Sequence, residues 1–124
     1  TDHSRSLTVA RGLSRERLLA QADGISGGTW PVAVWRGLEV DILADGSLDM
    51  DDDLLAGLDW VVGSVHSHMT QSADVMTARL LRAVTSGRIH ALGHPTGRIL
   101  GGRPGFGFDV DQPEDYARLH EASG

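Results

Sequence analysis

The chain has 124 residues and a formal charge of -6, with 17 acidic residues against 11 basic and no cysteine. A chain of this length can bury a core without staples. Disulfides and thiolate metal sites are excluded, so a bound metal must sit on His, Asp or Glu, a donor set that suits Zn, Mn, Fe or Mg. There is no basic run to grip nucleic acid by charge alone, no apolar stretch near the roughly 20 residues of a membrane helix and no signal peptide. A soluble, cytoplasmic protein is the expectation.

The chain opens "TDHS", with no Met, and reads as if it begins just after a strand. "SRERLLAQAD" (14–23) has a helical pattern: Ser14 is a plausible N-cap, and Leu18, Leu19 and Ala22 share a face. "GISGGTWP" (24–31) reads as a loop. "VAVWRGLEVDIL" (32–43) reads as a strand whose second half alternates, with Leu38, Val40 and Ile42 on one side and Glu39 and Asp41 on the other. "ADGSLD" is a turn, and "DMDDDLLAGL" holds a short helix whose acidic start suits the positive end of the helix dipole. That acidic run lacks the glycine and the terminal glutamate of a calcium loop.

"WVVGSVH" (60–66) is a nearly unbroken apolar run, as in parallel strands buried on both faces. "SADVMTARLLRAVTSG" (72–87) is amphipathic, capped by Ser72, stopped by Gly87, and apolar along Met76, Leu80, Ala83 and Val84. "RIHALGH" (88–94) is a third short strand. A Gly/Pro-rich loop follows, and 113–124 reads as a last helix with Pro113 in its first turn. Helices and strands alternate, so an α/β fold with a parallel sheet of right-handed units is expected.

Sites in such folds form at the carboxyl ends of the strands. Glu39, His66 and His94 stand at the ends of three successive strands, 27 and 28 residues apart. One strand–helix–strand step takes about 30 residues, so each unit delivers one ligand-type side chain to the same edge. His3 adds a fourth at the chain start. A lone His66 would read as a core histidine, and a lone Glu39 as a solvated outer residue. Glu39, however, shares its face with Asp41 while the opposite face is apolar, and two inward carboxylates must be paired, protonated or metal-bound. Asp41 is read as the partner that orients a ligand histidine. Asp2 and His68 are further candidates, His90 is structural, and His120 is exposed. In "HPTGR" (94–98), Pro95 makes a rigid exit, Gly97 allows close approach, and Arg98 is a candidate phosphate clamp.

"TDHS", "RGLEVDILADGSLDMDDDLL", "WVVGSVHSH" and "GRIHALGHPTGR" together resemble the polymerase and histidinol phosphatase (PHP) domain, most closely the one at the C-terminal end of bacterial X-family DNA polymerases. The resemblance implies a distorted (β/α)7 barrel, with 1–124 a partial domain. It implies a cluster of divalent metals, Mn or Zn with Fe or Mg as alternatives, held by His3, Glu39, His66 and His94, with Glu39 bridging two of them. It implies phosphoester hydrolysis, namely 3′–5′ exonuclease or DNA end processing, with an upstream polymerase domain in the parent chain. The family's opening His-x-His and closing Asp-x-His motifs are absent here, so a partial metal site and an open sheet edge are expected. Two rivals are a histidinol-phosphate-like phosphatase acting on a small phosphate ester, and a non-catalytic, truncated metal-binding module.

Overall fold

The computed structural model describes residues 2–7 and 11–95. Arg98, Gly97, His120, the loop expected beyond Pro95 and the last helix expected over 113–124 lie outside the described residues. The elements in order are β1 (Asp2–His3), α1 (Arg15–Gly27), β2 (Gly37–Asp41), α2 (Asp52–Ala56), β3 (Trp60–Ser64), α3 (Ala73–Thr85) and β4 (Ala91–Leu92). The four strands form one sheet in the order β1-β2-β3-β4, and every pairing is parallel. Each strand therefore lies beside the one before it, joined through a helix. When right-handed crossovers always step the same way, all helices fall on one face.

The pattern of side chains agrees. Leu38, Val40 and Ile42 are essentially fully buried. Leu38 and Val40 pack with Leu13, Leu18 of α1, Leu54 and Leu55 of α2, and Val61 of β3 into the core. The alternate residues take the other face. His3 pairs in register with Glu39, Glu39 with Val62, and Val62 with Ala91, so these four make one row across the sheet. Asp41 and Ser64 are paired two residues further along. The period-two reading of 38–42 thus separates a helix-facing apolar side from a polar side that carries the carboxylates.

Three boundaries and one burial pattern differ from the sequence expectation. The helix expected over 14–23 continues to Gly27, through what reads as loop. The Trp30 indole donates to the Ile25 carbonyl at 2.9 Å, which closes the helix end and offsets the cost of its glycines. The strand expected from 32 starts at Gly37, because Val32, Val34 and Trp35 are exposed and Arg36 is already fastened, backbone and guanidinium, to Asp59. The run at 60–66 is not buried on both sides: Trp60 is exposed, stacked between Trp35 and His90. The strand expected over 88–94 is shortened to Ala91–Leu92.

Helix α3 is capped by the Ser72 hydroxyl, as its sequence suggests. Its inward face differs from the apolar stripe, however. Val84 is 47% exposed, while Arg79 is only 2% exposed. The α3 backbone lies hard against the turn after β2. At Gly46, φ is +86°, and an added Cβ would sit 2.6 Å from the Arg79 carbonyl oxygen. Only glycine meets both demands. Among the described residues no helix is long and apolar enough to cross a membrane.

Candidate metal centre

His3 ends β1, and Glu39 stands beside it in register on β2. His66 follows β3 by two residues, and His94 follows β4 by two. The strands thus bring all four side chains to one edge. His3 Nε2 is 3.8 Å from Glu39 Oε2, while His66 Nε2 and His94 Nε2 are 3.4 and 3.6 Å from Glu39 Oε1. The two imidazole nitrogens are 3.3 Å apart. The rings of His3 and His66 meet edge-on at 5.4 Å, and those of His66 and His94 are tilted at 5.1 Å.

These separations test whether the residues suit a metal. N–H···O bonds run at 2.7–3.2 Å, and the Glu39–imidazole distances all exceed that. Donors bonded tetrahedrally to one ion at roughly 2.0–2.1 Å would lie about 3.3–3.4 Å from each other. The triangle of His66 Nε2, His94 Nε2 and Glu39 Oε1 has edges of 3.3, 3.4 and 3.6 Å. Ligand atoms of His3, Glu39 and His66 form a second group, all within 4.8 Å of one another. Both groups share Glu39 and His66, and the two oxygens of Glu39 face different histidines. The donor set therefore fits divalent metal.

The surroundings favour the ionised form of the two carboxylates at this edge. Contact with the His66 imidazole, and next with His94, keeps the Glu39 carboxyl well below the usual carboxylate range, against the opposing effect of burial. Asp41 is 5% exposed. Burial pushes its carboxyl up, but hydrogen bonds from His66 and Ser6 outweigh that and leave it lowered. Asp41 Oδ1 meets His66 Nδ1, and the Ser6 hydroxyl donates to Asp41 Oδ2 at 2.6 Å. The Asp41 backbone N–H donates to the Ser4 hydroxyl at 2.9 Å. An ionised Asp41 can accept an Nδ1–H from His66, the tautomer that would leave an Nε2 lone pair facing Glu39 and His94.

The remaining candidates divide. Asp2 faces the other way along β1 and accepts a hydrogen bond from Gln21 of α1. His68 is exposed, at φ +53°, with Nδ1 3.1 Å from the Ser67 hydroxyl. His94 is at φ +28°, a strained position for a residue before proline. His90 holds β3 to the start of β4: its Nδ1 accepts from the Val61 N–H at 3.0 Å, and its own N–H donates to the Val61 carbonyl.

Arg79 escapes a reading of the sequence. Its guanidinium donates to the carbonyls of Ile42 and Ser67 and to the Gln71 side chain. Burial pushes it down, opposed by the charges of Asp41 and Asp45. The one available signal was an arginine between Met76 and Leu80, on the side of α3 that should pack.

No family model matches the chain. It is 44% identical, over 121 residues and 95% of its length, to the DNA polymerase/3′-5′ exonuclease PolX of Bacillus subtilis, covering 21% of that protein. A probable phosphatase of Photobacterium profundum is 38% identical over 93 residues, 72% of the chain and 35% of the relative. A probable phosphatase of Vibrio cholerae is 33% identical over 129 residues, 99% of the chain and 47% of the relative. The chain thus spans between about a fifth and a half of the length of these relatives, and it is homologous to a segment of each.

Proposed function

We propose that the chain is part of a metal-dependent phosphoesterase of the PHP type, a hydrolase whose work in the parent protein is 3′–5′ exonucleolytic trimming of DNA ends. In this reading residues 1–124 form a partial PHP domain, and the parallel sheet is one arc of a distorted (β/α)7 barrel. The observation that carries it is the convergence of His3, Glu39, His66 and His94, with donor atoms 3.3–3.8 Å apart, at the carboxyl edge of four parallel strands. The similarity to PolX supports DNA as substrate and a polymerase portion elsewhere in the parent.

His3, Glu39, His66 and His94 would hold the metals, Mn or Zn, with Fe or Mg as alternatives. When bound, divalent ions there supply charge to neutralise a leaving oxygen and lower the pKa of an attacking water. The chain's own residues prepare the site for this. Glu39 stays ionised and offers one oxygen to the His3 side and the other to His66 and His94. Asp41 fixes the tautomer of His66, and Ser4 and Ser6 fix Asp41. Arg98 is proposed to steady a phosphate oxygen, four residues after His94.

The test is hydrolysis by the metal-loaded parent protein of a 3′-terminal phosphodiester in DNA and, beside it, of a small phosphomonoester. Glu39→Ala is expected to abolish turnover, and Arg98→Ala to raise KM for the phosphodiester. Preference for the monoester would favour the second reading, a small-molecule phosphatase, to which the probable phosphatases lend support. Turnover unchanged in Glu39→Ala would contradict a centre built on Glu39, and no turnover of either substrate by the wild type would leave the non-catalytic module as the remaining reading.

A further inference from the structure

We propose that Arg79 of α3 is the positioning residue of this site: a single buried guanidinium that sets the Asp41–His66 pair. The inference rests on the reading of His66 as a metal ligand and adds to it the device that aims it.

Asp41 and His66 lie at the exits of different strands. Each is followed at once by a residue whose carbonyl Arg79 holds. Nη2 donates to the carbonyl of Ile42, directly after Asp41, and Nη1 donates to the carbonyl of Ser67, directly after His66, at 3.0 Å. The same Nη1 reaches Gln71 Oε1 at 3.0 Å, and Gln71 Nε2 donates onward to the Ala44 carbonyl at 3.1 Å. One planar group from a helix therefore fixes the spacing between two strand exits. Guanidinium is suited to this, because its donors leave a rigid plane in set directions. A lysine has one rotatable nitrogen and cannot reproduce both contacts.

The position is costly, which argues that it does something. Arg79 is 2% exposed, and no carboxylate is among its hydrogen-bond partners in the described residues. Its Nε has no partner among the described residues. A buried charge with no carboxylate hydrogen-bonded to it is a poor source of stability, so an aliphatic side chain would serve the core as well. It would not serve the two exits. Arg82, one turn further along α3, reaches the Asp45 carbonyl at 3.0 Å and the Asp45 side chain at 3.2 Å, but it is exposed, and among the described residues its guanidinium bonds only to the turn after β2. It is the natural control for general loosening of the helix.

The experiment is calorimetric titration of the purified chain with Mn2+ or Zn2+ alone, together with 15N spectra that report the His66 tautomer without metal. Arg79→Met keeps the length and the apolar packing and removes both contacts. It is expected to fold, to lose the Nδ1–H signature of His66 and to bind metal roughly 10- to 100-fold more weakly, the range seen when groups behind a ligand are removed. Arg79→Lys is expected to fall between Met and wild type, and Arg82→Met to match wild type in both readouts. A folded Arg79→Met with unchanged affinity and tautomer overturns the inference, as does Arg82→Met matching its loss. Should Arg79→Met not fold, Arg79→Lys decides, and wild-type behaviour there overturns the inference equally. Glu39→Gln is titrated alongside. If it binds metal as wild type does, the ligand reading fails, and the role of Arg79 is then judged on the His66 tautomer alone.

Discussion

Asp41 is the residue on which the histidine cluster turns. Its carboxylate meets His66 Nδ1, and an ionised group there favours the proton on that nitrogen. Asp41→Asn keeps the shape and the Ser6 contact but presents an amide that can either donate or accept. Metal affinity is expected to fall about 10- to 100-fold with little change in fold, as read by titration with Mn2+ and by circular dichroism. An affinity equal to wild type would remove Asp41 from the site. Glu39 and Asp41 were legible in the sequence because a strand shows its two faces as alternation, and two carboxylates opposite Leu38, Val40 and Ile42 stand out. Arg79 was not legible. Its partners Ile42 and Ser67 are 37 and 12 residues away, and its place between Met76 and Leu80 on the packing side of α3 was the one local hint.

At the scale of elements, the sheet rests on β2. Leu38 and Val40 are buried between α1, α2 and β3, so Leu38→Ala is expected to cost about 2–5 kcal/mol, measured by urea denaturation. The turn after β2 is equally constrained by α3. Gly46→Ala would combine positive φ with a 2.6 Å approach to the Arg79 carbonyl, and about 1–3 kcal/mol of destabilisation is expected. A stability equal to wild type would mean that α3 is free to move away from the turn. The centres of strands and helices were readable from hydrophobic period and caps, as Ser14 and Ser72 show. Their ends were not. Where α1 stops depends on Trp30, and where β2 starts depends on Asp59, both contacts made by side chains that no periodic pattern records.

For the whole molecule, charge sets the response to acid. Glu39 and Asp41 are held below the ordinary carboxylate range, and so are the exposed Asp52, Asp53 and Asp59 beside arginines and the exposed Asp45, which accepts from Ser47. The folded chain therefore binds fewer protons than the unfolded one at mildly acid pH. Stability from these groups is full above the unfolded carboxylate pKa of about 4 and is lost as pH falls through the depressed folded values. The urea midpoint is expected to be flat near neutrality and to drop on going toward about pH 3, with a smaller drop in Glu39→Gln. An equal drop in both would assign the acid sensitivity to the surface pairs. The delivery of one ligand-type residue per strand was visible in the 27- and 28-residue spacings, since a parallel sheet in sequential order repeats its edge at that interval.

The most direct test of the central claim is elemental analysis of metal bound to the purified chain, wild type beside Glu39→Ala. Bound Mn, Zn or Fe near stoichiometry in the wild type, falling sharply in the variant, is the result predicted by the shared carboxylate of Glu39. Equal metal content in the two proteins, or none in either after incubation with each ion, would contradict a metal centre built on His3, Glu39, His66 and His94.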